Sequence, residues 1–320
     1  MFAVRGIALS FSIFVVLYCA LSLAVCGLWR SVWRGTQRRP ARCADLLFTL
    51  RVIPLAVATA VTLILAVPSF LMLEPRAVNE PMGAVPVALG LCGMAVVLAG
   101  MWNAGTALLR ASRTVARWSR EAGVIAAKSG DCGGSVPVLR VSGAAPPLTA
   151  AGMLQTSVWL SRAAEFVLTE QELQSALRHE VVHARRRDNL RKLILRLVAF
   201  PGMAELEGAW REATEMAADD AAVSTASEAL DLAAAVIKLS RLAPLEAPAE
   251  LTTALVHSPA QSVNARVRRL IAWTEPQQGR ADGHSWGYAL CSAVAVAITL
   301  AVTYNDLLVR VHAASEWLVH

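Results

Sequence analysis

Cysteine, charge, aromatic rings and histidine are all scarce in this chain, and each scarcity narrows what it can be. The six cysteines, at 19, 26, 43, 92, 132 and 291, form no C-x-x-C pair, so neither a disulfide framework nor a thiolate metal site is expected. Only 17% of the residues are charged and 6% aromatic, against 56% hydrophobic, a balance too apolar for an ordinary soluble chain. No repeat of fixed period occurs. There are just six histidines, yet two of them stand four residues apart with a glutamate between.

The apolar excess is concentrated in runs. Ile7–Trp29, Val52–Leu73 and Val85–Leu109 each hold at least 22 residues, about 33 Å as helix, enough to cross a hydrocarbon core of about 30 Å. Gly287–Val302 is shorter, but Trp286, Tyr288 and Tyr304 bracket it as interfacial anchors and extend the span to 286–304. Four membrane spans are therefore expected. None carries a midspan Asp, Glu, Lys or His, which removes a transport path. Arg51 lies where it can snorkel to the surface, and Gly93 and Gly100, seven apart with Gly90 close by, point to a close helix contact.

Basic residues set the orientation. Arg30, Arg34, Arg38, Arg39 and Arg42 follow the first run, and Arg110, Arg113, Arg117 and Arg120 follow the third; both segments are expected to be cytoplasmic. The second connection, "EPRAVNEPMG", has one Arg against two Glu and reads as external. Both termini are then outside, 305–320 forms a short external tail, and 111–285 is cytoplasmic. The net charge of +6 serves topology and anionic lipid rather than direct nucleic-acid binding. "LAVC" ending at Cys26 faintly resembles a lipoprotein cleavage site. The run is longer than the about 7 to 15 residues of a signal core and five arginines follow it, so a signal anchor is expected.

The segment 111–285 is the one stretch long enough for a folded domain. "VPVLRV" and "TSVWL" read as strands, and helices dominate afterwards. Thr169 with Glu172 forms a capping-box signature, with Leu168 and Leu173 as staple, starting a helix near Glu170. Pro201-Gly202 ends that helical region. Before it, Leu190, Leu193, Ile194, Leu197 and Val198 share an apolar face that can lie on the inner leaflet or pack against the domain or a span. Alanine-rich helix continues from Ala209.

"ALRHEVVHARRRDNL", from Ala176, carries the chemistry. Positions four apart share one helix face, so the imidazoles of His179 and His183 can reach one ion, with Glu180 beside it as general base. With 6 histidines and 16 glutamates, random order gives about 0.006 such patterns. Two neutral imidazoles and a carboxylate favour Zn2+ over Mg or Ca. "WREATEMAADDAAV" supplies that carboxylate as Glu215, with Asp219 one turn on to hold a ligand histidine, most naturally His179, by its far nitrogen. Glu212 is the rival third ligand.

"TEQELQSALRHEVVHARRRDNL", with "EMAADDAAV" behind it, resembles the peptidase domain of the BlaR/MecR type of integral-membrane zinc metallopeptidases, in which three spans precede the domain and one follows. The resemblance covers the membrane layout and about 137–273. It implies a zincin-like α+β metallopeptidase domain at the cytoplasmic face that cleaves a protein or peptide substrate, often a transcriptional repressor. His179, His183 and Glu215 match the zinc ligands, Glu180 the catalytic glutamate, and Asp219 the buttressing aspartate. "RRRD" through Asp188 matches the motif's usual continuation.

The chain departs from the family at "AFPGM", where an aromatic-Asn-Pro turn is usual, and in the strand before the motif, which has Thr156 and Ser161 in place of prolines. Only "NDLLVRVHAASEWLVH" follows the last span where sensor members carry a penicillin-binding domain, so direct antibiotic sensing is not expected. HtpX-type quality-control proteases share both motif halves. In those relatives a downstream histidine stabilises the oxyanion; His257, with Arg266 as a structural partner, is the candidate for that role at an unusual spacing, and an ordinary loop histidine is the alternative reading. A housekeeping protease and a non-catalytic signalling scaffold are the two alternatives.

Overall fold

The computed structural model describes residues 2–74, 83–121, 136–141, 146–198, 200–242, 253–254, 260–274 and 303–314. It is mostly helical, with a small mixed sheet. Among the described residues three helices are long and apolar enough to cross a membrane: Phe2–Thr36, Pro40–Leu73 and Ala84–Arg120. Most of the expected fourth span, 286–304, lies outside the described residues, as does much of the second connection. Contacts divide the chain into two compact units, one of Met1–Gly27, Val52–Ala99 and Pro276–His320, the other of Leu28–Arg51 and Gly100–Glu275.

The first unit is built on parts of α1 (Phe2–Thr36), α2 (Pro40–Val61), a π-helical stretch Thr62–Ala66, α3 (Val67–Leu73) and α4 (Ala84–Glu121). Leu23, Leu63, Leu71, Met72 and Leu91 are exposed, as suits side chains that meet lipid rather than water. α1 and α4 touch backbone to backbone. A Cβ on Gly90 would stand 2.7 Å from the Ala8 carbonyl oxygen, and one on Gly93 would collide with that of Phe11. Ser12 Oγ bridges the same two helices, donating to Ala8 O at 2.8 Å and Pro86 O at 2.7 Å. The close contact expected from glycine thus uses Gly90 and Gly93, three apart; Gly100 faces a different partner.

Residues 303–314 are helical. Tyr304 donates to Ile64 O at 2.9 Å, and Leu308 O accepts from Ser69 at 3.0 Å. Glu74 lies 3.3 Å from Arg5 and 4.0 Å from His312, gathering the N-terminal turn, the end of α3 and this last helix at one end of the unit.

The second unit holds the sheet, in the order β1-β3-β2-β4: β1 (Val138–Val141), β2 (Leu148–Ala151), β3 (Ser157–Ser161) and β4 (Thr253–Ala254). β1 runs parallel to β3, and β2 antiparallel to β3 and β4. β2 is buried throughout, so it lacks the polar alternation that marks a strand in sequence. Around the sheet come α5 (Arg162–Val167), α6 (Glu170–Arg186), α7 (Asp188–Leu197), α8 (Ala204–Ala222), α9 (Ala226–Leu242) and α10 (Ala260–Ile271). Leu148, Val158 and Leu160 pack with Ala176, Val181, Leu232 and Val236 in one core.

Two helical regions that read as continuous in sequence are broken. Arg187 adopts left-handed φ 54° and ψ 41°, so α6 stops there and α7 sets off in a new direction. The alanine-rich helix is interrupted after Ala222, where Thr225 and Glu228 start α9: Glu228 N–H donates to Thr225 Oγ1 at 3.2 Å and Ser224 N–H to Glu228 Oε2 at 2.7 Å. Arg51 does not snorkel. It is 4% exposed and donates to the Val198 carbonyl beyond α7.

Candidate metal centre

α6 begins where the sequence places it. Thr169 N–H donates to Glu172 Oε2 at 2.8 Å, and Glu172 N–H to Thr169 Oγ1 at 3.4 Å, satisfying two of the donors a helix start leaves free. Lys238 of α9 adds a 2.7 Å pair to Glu172. Two to four turns on, the helix turns one face inward, and His179, Glu180 and His183 are 0%, 0% and 2% exposed.

On that face the two imidazoles approach with Nε2 atoms 3.1 Å apart. α8 brings Glu215 against them, its two oxygens each 3.6 Å from an Nε2, one from His179 and one from His183. One ligand atom from each of the three residues fits within 4.8 Å of the others. Glu212, the rival ligand, is not in this group.

The far side of each ring is held by a carboxylate. Asp219 lies 3.0 Å from His179 Nδ1, as the i,i+4 spacing from Glu215 predicts, and Asp188 lies 2.7 Å from His183 Nδ1. Both carboxylates are buried. A proton on each Nδ1 leaves each Nε2 lone pair free toward Glu215, the tautomer a metal ligand needs. Asp188 can reach back only because of Arg187: a left-handed residue turns the chain at once into α7, a conformation costing about 1–2 kcal/mol in a residue with a Cβ. It is the one non-glycine with positive φ among the described residues.

Arg266 of α10, 1% exposed, pairs with two acidic residues of α8, Glu215 and Asp219. It donates to Asp219 at 2.9 and 2.6 Å and stands 2.9 Å from Glu215 Oε2. Burial alone would raise the Glu215 carboxyl, but Arg266 and the two histidines hold it down at about 2. Burial is likewise outweighed at Asp219, which Arg266 and His179 hold well below the usual carboxylate range. For His179, burial opposes the charged form, yet Asp219 and Glu215 raise it to about 9; a proton and a metal ion compete for this ring.

Glu180 differs from the other carboxylates. Its Oε2 accepts from the Ala150 N–H of β2 at 2.9 Å, while buried Oε1 has no hydrogen-bond partner. Burial first, and Glu215 in smaller part, push the carboxyl up to about 7, against the pull of His183, His179 and the Ala150 N–H. Asn189, just after Asp188, donates to Ala150 O at 3.1 Å and Gly152 O at 3.2 Å. Ala150 thereby fixes both Glu180 and the start of α7.

Four carboxylates, Glu180, Asp188, Glu215 and Asp219, gather around the two imidazoles, and one buried guanidinium pairs with two of them, Glu215 and Asp219. That local excess of negative charge, and an idle buried oxygen on Glu180, suit a divalent cation among the ligand atoms. Of the residues read from the sequence, His179, Glu180, His183, Glu215 and Asp219 come together; His257 lies outside the described residues. Sequence reasoning missed what Asp188 does, although "HARRRD" placed it within reach. It also gave Arg266 a different partner, because its pairing with Asp219 spans 47 positions and leaves no local signal. No family model matches this chain, and neither does any curated protein sequence.

Proposed function

We propose that this chain is a zinc metalloendopeptidase embedded in the cell membrane, similar to the BlaR/MecR-type peptidases. On this reading it has four spans, both termini outside and a zincin-like domain in the cytoplasm. The observation that carries the activity is the convergence of His179, His183 and Glu215 within 4.8 Å beside a carboxylate whose Oε1 is idle.

Zinc at these three residues would supply a Lewis acid for the scissile carbonyl and lower the pKa of water. Glu180 takes the proton of the attacking water at Oε1, while the Ala150 N–H on Oε2 keeps the carboxylate aimed. Burial raises the Glu180 carboxyl in the metal-free protein, which favours its holding the water proton and passing it to the departing amine. Asp219 and Asp188 keep the imidazoles in one orientation and tautomer, and Arg266 holds Glu215 and Asp219 ionised. The substrate class rests on resemblance: a repressor-like protein cleaved in a regulatory pathway.

The test is zinc content and peptide-bond cleavage in purified parent, Glu180→Gln and His183→Ala proteins. About one zinc per chain and cleavage by the parent are expected, with zinc kept and cleavage lost in Glu180→Gln, and both lost in His183→Ala. Glu180→Gln protein that cleaves everything the parent cleaves would overturn the reading. A parent with no stoichiometric zinc would make the chain a scaffold, and cleavage of several unrelated membrane proteins would make it a quality-control protease.

A further inference from the structure

α7 connects the metal centre to the membrane helices, and three independent contacts set its depth. First, Arg191 of α7 and Arg186 of α6 meet Asp45 of α2 at 2.8 and 3.0 Å. Asp45 is 53% exposed, and an uncovered cluster of charges belongs at a level that water reaches rather than in hydrocarbon. Second, Arg51 of α2 donates to Val198 O. Arg51 is six residues past Asp45 and Val198 seven past Arg191, about 9 and 10 Å deeper along the two helices; α2 and α7 run side by side in the same direction. Third, Leu193 packs with Ala107 and Ala111 of α4, and a Cβ on Gly100 would collide with Leu197 O. Gly100 is nine residues, about 13 Å, inside the apolar run that ends at Leu109.

The chain then returns. Glu205, in the first turn of α8, pairs with Arg30 of α1 at 2.5 Å, both side chains about two-thirds exposed. Between these water-level pairs lies "LVAFPGMA", residues 197–204, with no charge. Lys192 and Arg196 precede it one turn apart on a common face. Leu197 is 40% exposed.

We propose that α7 is a re-entrant element: its last turn and the Pro201–Gly202 turn dip into one leaflet of the bilayer, with Arg51 as the cap of its C-terminal end. A helix end leaves carbonyls unpaired, and in hydrocarbon no water is there to satisfy them. Arg51, buried in a candidate span with its guanidinium on the Val198 carbonyl, satisfies one of them; so placed, it requires no transported ion or proton. The outer face of the turn meets lipid chains. This inference depends on the membrane reading of α2 and α4 and is independent of peptidase activity.

Photo-crosslinking in the full chain, in native membranes, tests it. Benzoylphenylalanine placed singly at Leu197 or Phe200 is expected to give phospholipid adducts at a yield comparable to Leu98 in α4, while Leu230, beside Asp231 in α9, gives none. If positions 197 and 200 behave like 230, the re-entrant element does not exist. The cap is read separately by hydrogen exchange in detergent. Arg51→Leu is expected to speed exchange of the amides around 195–203 by about tenfold or more, the scale of one lost hydrogen bond to a buried group, with Arg51→Lys close to the parent. Unchanged exchange in Arg51→Leu would overturn the capping role, and failure of either arm leaves the zinc and cleavage assays unaffected.

Discussion

Replacing Asp219 by asparagine separates orientation of His179 from metal binding itself. The substitution keeps size and removes charge. In the parent, Asp219 meets three donors: Arg266 Nε at 2.9 Å, Arg266 Nη2 at 2.6 Å and His179 Nδ1 at 3.0 Å. Asparagine offers one oxygen, and its NH2 must then face either the guanidinium or Nδ1–H, a donor against a donor. His179 loses the anion that pins its proton on Nδ1, and the alternative tautomer puts that proton on Nε2, the atom 3.6 Å from Glu215. Removing such a supporting carboxylate typically lowers metal affinity by about 10–100-fold, about 1.4 to 3 kcal/mol. The metal-free protein should also lose about 1–3 kcal/mol of stability, since Arg266, 1% exposed, loses the anion to which it donates twice. Zinc affinity is measured by competition with a chelating dye, and stability by unfolding with excess chelator. A folded Asp219→Asn protein that binds zinc within twofold of the parent would refute the claim that this carboxylate orients His179.

Two further outcomes follow from burial. Glu180 in the metal-free protein has its carboxyl raised from 4.5 to about 7, so the folded state holds the proton more tightly and stability falls as pH rises through that window. Glu180→Gln should therefore stabilise the chelator-treated protein by up to about 3 kcal/mol at pH 8 and by almost nothing at pH 4; equal unfolding curves at pH 8 would show that burial does not raise this group. In the first unit, Gly93→Leu should weaken the α1–α4 contact and lower the melting temperature, because any Cβ there meets the Phe11 carbonyl. Gly27→Ala, with open space around it, is the matched control and should leave melting unchanged.

The parts of the site legible in sequence are those written as local spacing. Histidines four apart, the Thr169–Glu172 cap and the Glu215–Asp219 turn all obey helical geometry, and a helix delivers them whatever its surroundings. The rest depends on chain direction. Nothing local tells a reader that Arg187 is left-handed, yet that residue returns Asp188 to His183. β2 escaped notice because "LTAA" is short, alanine-rich and buried on both faces, and so carries neither alternation nor β-branching enough to read. Arg51 looked like an ordinary interfacial arginine since its partner, a backbone carbonyl 147 positions away, has no side-chain signature.

Residues 40–51 belong to an apolar, membrane-type helix by sequence and to the unit that holds the candidate metal centre by contact. Cys43, Ala44 and Leu47 are 0–1% exposed, the Phe48 ring lies tilted 6.3 Å from that of Trp210, and Asp45 engages two arginines of α6 and α7. A fragment starting after the third span would strip this strip of helix from the domain and lay bare the greasy seat beneath it. Biochemistry on the isolated domain would thus describe a damaged object, and the natural minimum for study is the chain with its anchoring helices in place.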